Sequence, residues 1–212
     1  MKGLTPFRLC LVTDRQATGG RSLTTVVEAG LGAGLPVVQL REKDLPAGEL
    51  CQLAGELRAL TLAHGARLLV NDRADVALAI GADGVHLPAS GLAPATVRAI
   101  LGPGRLVGVS THSVAEAEAA AGAGADFAVF GPVYDTPSKR SFGEPQGLVA
   151  LAAACRAARL PVIAIGGVTA ARVPELSEAG AAGVAVIRAV LEAADPAAAT
   201  KELLAACERA WP

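Results

Sequence analysis

The stretch RLLVNDRADVALAIGADGVHL, residues 67–87, contains the pattern from which the fold can be predicted. Two short apolar runs, RLLVN at 67–71 and DGVHL at 83–87, flank a segment that is rich in alanine and leucine and ends in glycine. Short β-branched runs favour strands, and a helix commonly ends at a glycine. The stretch therefore predicts a strand, a helix and a second strand.

The same alternation recurs along the chain. Six further apolar runs are candidate strands: RLCLVT (8–13), PVVQLR (36–41), RLVGVS (105–110), DFAVFG (126–131), PVIAIG (161–166) and GVAVI (183–187). Eight apolar strands that alternate with helices predict an α/β protein with a parallel sheet covered by helices. The number eight favours a single (β/α)8 TIM barrel spanning residues 1–212 over an open sheet of five to seven strands.

Composition narrows the classes of ligand and the cellular compartment that can be expected for the protein. The chain is 52% hydrophobic with a net charge of −1, and its scattered basic residues give no electrostatic basis for nucleic-acid binding. No run of about 18 apolar residues is present, so no membrane association is expected. The cysteines lie far apart, which predicts buried thiols in a cytoplasmic protein rather than a zinc site. The sequence is compatible with a homo-oligomer.

The candidate strand PVVQLR leads into a stretch with many polar residues, VQLREKD at 38–44. If the strand continues through this stretch, Gln39, Arg41 and Lys43 point to the same side. In a barrel of this class the working face lies at the carboxyl ends of the strands. Two cations there favour a multiply charged anion such as a diphosphate. In the alternative, they form structural ion pairs with a carboxylate of Asp14, Glu42 or Asp72.

A second anion site is predicted after the seventh strand. Gly166 and Gly167 follow that strand, and Ile187 and Arg188 begin the segment after the eighth. Barrels commonly hold a phosphate on backbone N–H groups at this position, and glycine lets the backbone approach a ligand closely. The pair alone is also compatible with a tight turn.

The loop DTPSKRSFGEPQG, residues 135–147, is long and polar where the other strand-to-helix connections are short. Long loops of this kind in compact domains are often functional. Thr136, Ser138 and Lys139 offer hydroxyl and ammonium donors to phosphate oxygens, whereas the alternative is a solvated surface loop. Tyr134 and Phe142 are the expected aromatic neighbours of a flat ring. The strand-end histidines His86 and His112 are not assigned an acid or base role.

Five motifs in order resemble the thiamine-phosphate synthase superfamily, which also contains the thiazole tautomerases. They are VQLREKD, LLVNDRADVALAIGADGVHL, VGVSTHS, FGPVYDTPSK and PVIAIGGV, and they extend over most of the chain. The resemblance is closer to the synthases. It implies a transferase that joins hydroxymethylpyrimidine diphosphate to thiazole phosphate with release of pyrophosphate. In that reaction Mg²⁺ assists loss of pyrophosphate, and the thiazole nitrogen captures the resulting pyrimidine cation.

The resemblance also implies roles for individual residues. The diphosphate and pyrimidine would lie on Gln39, Arg41, Lys43, Asn71, Ser110 and Lys139, with Asp72 as a metal ligand. Of these, Arg41, Lys43, Ser110 and Lys139 would serve catalysis. The thiazole phosphate would lie near Thr136, Ser138, Gly167, Ile187 and Arg188.

The chain departs from the family pattern at three positions. Gly91, in HLPASG, stands where the synthases carry a second metal-binding aspartate, and Arg188 stands where they usually carry a serine. Pro132 stands where one type of tautomerase has a histidine used for proton transfer. Two alternatives therefore accompany the synthase hypothesis: a metal-independent thiazole tautomerase and a non-catalytic barrel that binds phosphate ligands.

Overall fold

The computed structural model describes residues 7–136 and 144–212. Eight parallel strands close into a barrel in which each strand pairs with its neighbours in chain order and β1 pairs with β8. The strands are β1 Leu9–Val12, β2 Val37–Leu40, β3 Arg67–Asn71, β4 Gly84–Leu87, β5 Leu106–Thr111, β6 Phe127–Phe130, β7 Val162–Ile165 and β8 Gly183–Val186. The predicted (β/α)8 barrel is confirmed, and the open sheet is wrong.

A helix follows each strand and packs on the outside of the barrel. The helices are α1 Leu23–Gly32, α2 Ala47–Ala63, α3 Ala74–Ala79, α4 Pro94–Leu101, α5 Val114–Gly122, α6 Gly147–Ala157, α7 Val173–Glu178, α8 Arg188–Leu191 and the closing helix α9 Pro196–Ala210. Among the described residues, none of these helices combines the length and apolar character needed to cross a bilayer.

Alternation along the strands divides the buried side chains into two clusters. Leu68 and Val70 of β3 point outward to the cluster beneath the helices, whereas Leu69 points into the barrel. The interior cluster is centred on Phe127, whose ring lies 5.2 Å from that of Phe7. This aromatic pair fills the amino-terminal half of the barrel and leaves the inward positions at the carboxyl ends to other residues.

Two aspartates stabilise the face of the barrel where the strands begin. Asp83 precedes β4 and accepts hydrogen bonds from the Leu68 N–H at 2.8 Å and from Arg58 at 2.7 Å. Asp126 precedes β6 and repeats the arrangement with the Val107 N–H at 2.7 Å and with Arg98. Each carboxylate thus links a strand to its neighbour and to the helix before that neighbour.

We expect Asp83→Ala to lower the free energy of unfolding by about 1–3 kcal/mol, because it leaves the Leu68 N–H and the Arg58 guanidinium without their acceptor. Urea denaturation monitored by circular dichroism measures the change. Asp75→Ala is the matched control: that carboxylate is 66% exposed and pairs with Arg73. An exposed pair contributes about 0–1 kcal/mol. Equal losses in both variants would contradict the proposed importance of Asp83.

Candidate active site

The carboxyl ends of four neighbouring strands send polar side chains into the barrel. Gln39 lies in β2, Asn71 in β3, His86 in β4 and Ser110 in β5, each at an inward position set by the two-residue repeat of its strand. The parallel register places Asn71 beside His86 and Gln39 beside Leu69. Sequence positions up to 71 residues apart, from 39 to 110, are therefore brought together at one end of the barrel.

These side chains form one continuous chain of hydrogen bonds. Gln39 Nε2 lies 3.4 Å from Asn71 Oδ1, and Gln39 Oε1 lies 2.8 Å from His86 Nδ1. His86 Nε2 in turn lies 3.2 Å from Ser110 Oγ. Gln39 and His86 are 3% and 5% exposed, and no buried side-chain polar atom in the described residues lacks a partner. A buried polar chain of this kind holds its members in fixed orientations.

Burial of His86 has an electrostatic consequence. Desolvation, with a smaller contribution from the positive charge of Arg41, lowers the pKa of the imidazole from 6.5 to about 4. The ring is therefore neutral near pH 7, with one nitrogen protonated and one available as an acceptor.

The structure corrects the expected course of VQLREKD. Strand β2 ends at Leu40, so alternation does not extend to Arg41 and Lys43. The Arg41 N–H donates to the Thr13 hydroxyl at 2.8 Å. Beyond Leu40 the chain turns at the rim, where Arg41 is half-buried and Lys43 is exposed.

The acidic residues of this stretch pair with a different cation. Glu42 is 6% exposed and accepts from the Arg15 N–H at 3.1 Å and from the Arg15 guanidinium at 3.2 Å. Asp44 pairs with the same guanidinium at 2.5 Å, which lowers the pKa of the Asp44 carboxyl. Within the described residues neither Arg41 nor Lys43 pairs with a carboxylate, so the ion-pair alternative is wrong there.

Asp72 lies at the same rim, directly after β3. It is exposed, and among the described residues it is the non-glycine residue with a positive φ, 64°. Its N–H donates to the His86 carbonyl at 2.9 Å, which fixes this turn against β4. Backbone conformations of this kind concentrate at functional sites.

Asp72 is the carboxylate that the family resemblance assigns to Mg²⁺, whereas Glu42 and Asp44 at the same rim are paired with Arg15. The described residues contain no group of three His, Cys, Asp or Glu side chains that could hold a metal ion. At Gly91, an added Cβ would lie 3.0 Å from the Pro88 ring, so a side chain there would press on Pro88. Mg²⁺ is commonly held by one or two carboxylates together with substrate phosphates. Asp72 with a bound diphosphate fits that description.

The glycine pair after β7 forms a tightly packed turn. Gly166 and Gly167 have φ values of 100° and 65°, which favour glycine. The Tyr134 N–H donates to the Gly166 carbonyl at 3.1 Å, and a Cβ at Gly167 would lie 2.8 Å from the Tyr134 Cβ. The Arg172 guanidinium donates to the Gly167 carbonyl at 2.5 Å. The tight turn is thus present, and approach of its backbone to a phosphate stays a prediction.

Tyr134 has a structural role at this turn that the sequence did not reveal. Its hydroxyl donates to Glu175 at 2.5 Å, and the Arg172 guanidinium lies 4.2 Å from its ring centroid. Burial, assisted by the Glu175 carboxylate, raises the pKa of the phenol. Arg172 and Glu175 belong to a 3-10 turn and to α7, and no motif in the sequence marks them.

The remaining predicted residues lie in different settings. Ser138, Lys139 and Phe142 lie outside the described residues. Thr136 is half-buried, and Ile187 precedes the first residue of α8, as expected. Arg188 is exposed at the start of α8, where its guanidinium lies 3.4 Å from Glu192.

The buried neutral His86 predicts a pH dependence of stability. Its pKa is lower in the native state than in the unfolded chain, so between pH 6.5 and about 4 the unfolded state binds the extra proton. We expect the free energy of unfolding to fall as the pH falls through this window, by up to about 3 kcal/mol from this residue. Urea denaturation at several pH values measures the slope. His86→Asn should flatten it, and an unchanged slope would contradict the assignment.

Known proteins share both the sequence and the fold of this chain. The sequence model of the family described as "Thiamine monophosphate synthase" matches residues 9–190. A putative thiamine-phosphate synthase of Geobacter sulfurreducens is 54% identical over 94% of this chain and 93% of that protein. A thiamine-phosphate synthase of Roseiflexus castenholzii is 48% identical over 91% of this chain and 85% of that protein.

A solved structure agrees with these sequence relationships. The thiamine phosphate pyrophosphorylase from Pyrococcus furiosus superposes with a TM-score of 0.88 at 33% identity, covering 97% of each chain. Because the match includes the whole barrel and its rim, the chain belongs to the thiamine monophosphate synthase family.

Proposed function

We propose that this chain is a transferase that joins hydroxymethylpyrimidine diphosphate to thiazole phosphate and releases pyrophosphate, as a step of thiamine biosynthesis. The observation that carries the proposal is the charge at the rim: Arg41 and Lys43 have no carboxylate partner among the described residues, since Arg15 takes both Glu42 and Asp44. Two cations beside a polar pocket favour a ligand with several negative charges. The names of the curated relatives support the same reaction.

The pyrimidine diphosphate is assigned to the β2–β5 side of the rim. Arg41, Lys43 and Lys139 would bind the diphosphate, while Gln39, Asn71 and Ser110 would hold the ring. What supports this division is the polar chain at the carboxyl ends of β2–β5, which is uncharged because His86 is neutral. An uncharged set of donors and acceptors suits a heterocycle, whereas cations suit phosphates.

The thiazole phosphate is assigned to the β6–β8 side. Backbone N–H groups at Gly167 and Ile187, together with Thr136, Ser138 and Arg188, would bind its monophosphate. The close packing around Gly167 supports this assignment, because a glycine there brings the main chain to a position that a larger residue would not reach. Arg188 would exchange its contact with Glu192 for the phosphate.

The proposed reaction requires stabilisation of negative charge on the leaving group and does not require proton transfer by a side chain. The C–O bond to the diphosphate breaks with its electron pair going to pyrophosphate, and the thiazole nitrogen lone pair then forms the new C–N bond. Arg41, Lys43 and Lys139 would stabilise the negative charge on the leaving group. Mg²⁺ held by Asp72 and the diphosphate would supply further neutralisation.

The tautomerase alternative requires a group that transfers a proton on the ring. Pro132 has no such group, and His86 is buried and neutral within its hydrogen-bond chain. Gly91 is the observation that favours metal-independent chemistry, because it removes the carboxylate of the synthases.

Incubation with the two phosphorylated heterocycles, with and without Mg²⁺, tests the function. Formation of thiamine phosphate and pyrophosphate, measured by chromatography, is the expected result. Isomerisation of a thiazole phosphate carboxylate without metal would instead identify a tautomerase, and binding without turnover would identify a non-catalytic barrel.

Two variants should affect the two substrates in opposite ways. Lys43→Ala removes a rim cation, so we expect the KM for the pyrimidine diphosphate to rise about tenfold or more, while the KM for the thiazole phosphate changes little. Gly167→Ala forces a Cβ against Tyr134, so we expect the reverse pattern.

Steady-state kinetics with each substrate varied in turn measures both effects. Lys201→Ala, in α9, is the control for loss of an exposed lysine, and Gly19→Ala is the control for a positive φ in open space. Equal losses for both substrates in Lys43→Ala would contradict the division of the site.

A further inference from the structure

We infer that His86 is a positioning residue that fixes the hydrogen-bond polarity of the pocket, making Ser110 an acceptor and Gln39 and Asn71 donors toward the substrate. His86 is 5% exposed and forms hydrogen bonds with Gln39 and Ser110, so it acts through them. The identity of the substrate in this inference rests on the proposed function. The polarity itself rests on the geometry of the polar chain.

The Gln39 amide determines which nitrogen of His86 carries the proton. Its oxygen lies 2.8 Å from His86 Nδ1, while its nitrogen lies 3.4 Å from Asn71 Oδ1. An amide oxygen accepts and cannot donate, so the proton in the first contact must be on His86 Nδ1. The Gln39 nitrogen donates one of its protons to Asn71 and keeps the other for the pocket.

The position of this proton determines the hydrogen-bonding role of Ser110. A neutral imidazole carries one proton, and we place it on Nδ1, so His86 Nε2 presents a lone pair to Ser110 rather than an N–H to the nearby Val109 carbonyl. The described side-chain partners of the ring, Gln39 and Ser110, are both uncharged, so neither favours the protonated imidazolium. Ser110 Oγ, 3.2 Å from Nε2, must therefore donate its hydroxyl proton to the histidine. The Ser110 oxygen is left with lone pairs for the substrate.

The resulting pattern has a chemical meaning. Ser110 offers an acceptor, whereas Gln39 and Asn71 offer N–H donors, because the Asn71 oxygen is already used by Gln39. A ring with an amino group next to a ring nitrogen presents the complementary pattern of a donor beside an acceptor. The pyrimidine half of the proposed diphosphate substrate belongs to this class. An oxo-substituted ring would present an acceptor to the Ser110 lone pairs.

The geometry explains why a histidine serves this purpose. The contacts of His86 connect β4 to β2 on one side and to β5 on the other, over 47 and 24 residues of sequence. An imidazole has a donor and an acceptor at opposite edges of one rigid ring, so one side chain can orient both neighbours. A phenylalanine would fill similar space without orienting either.

The test separates orientation from packing. His86→Asn places an amide near the Nδ1 position and removes the acceptor for Ser110, whereas His86→Phe keeps the ring volume and removes both contacts. We expect the KM for the pyrimidine diphosphate to rise about tenfold in each variant, with little change for the thiazole phosphate. His64→Asn is the matched control, since His64 is exposed at the end of α2 and should leave both constants unchanged.

Coupling to Ser110 gives the decisive comparison. If His86 acts through the hydroxyl, Ser110→Ala combined with His86→Asn should be no worse than Ser110→Ala alone for the pyrimidine diphosphate. Effects that multiply in the double variant, or a kinetic defect shared equally by both substrates, would overturn the inference in favour of a purely structural role.

A spectroscopic measurement decides the polarity without relying on turnover. Nitrogen-15 NMR of the wild-type protein at pH 8 should show His86 protonated at Nδ1 and unprotonated at Nε2, with the signal assigned by its loss in His86→Asn. The opposite tautomer, or a protonated ring, would overturn the inference. If the wild-type protein forms no thiamine phosphate, the proposed function is contradicted. The NMR measurement of the tautomer still tests the role of His86 in that case.

Discussion

Closure of the sheet by pairing of β1 with β8 is the constraint on which the rest of the molecule depends. Because every strand has two neighbours, alternate residues of each strand must point into a closed interior. The amino-terminal half of that interior is filled by apolar side chains around Phe127, and an added Cβ at Gly108 would overlap its ring at 2.1 Å. The carboxyl-terminal half holds the polar chain, so the position of the candidate site follows from how the barrel is filled.

The distribution of charge complements this arrangement. Arg15 forms ion pairs with Glu42 and Asp44 of the VQLREKD stretch, and Arg58 forms an ion pair with Asp83 on the opposite face of the barrel. These pairs leave Arg41 and Lys43 without acidic partners among the described residues. The pairing of Glu42 and Asp44 with Arg15 leaves two cations available to anions at one rim, although the whole chain has a net charge of −1.

The replacement of the family's aspartate by Gly91 is accompanied by close packing against Pro88. At Gly91 an added Cβ would lie 3.0 Å from the Pro88 ring and 3.1 Å from its carbonyl oxygen, so the proline and the glycine of HLPASG are sterically linked. Asp72 remains as the carboxylate of the proposed metal site. In that proposal the diphosphate would supply further ligands to Mg²⁺, so metal binding would require bound substrate.

The sequence by itself determined the eight strands, their order and the face on which their polar ends lie, because short-range periodicity sets strand identity and parallel topology places strand ends on one face. It could not determine that β2 stops at Leu40, that Glu42 pairs with Arg15, or that Tyr134 is held by Arg172 and Glu175. Nor could it show that His86 links Gln39 to Ser110. These contacts join residues far apart in the chain, and a hydrogen bond depends on distances and angles that exist only after the barrel has closed.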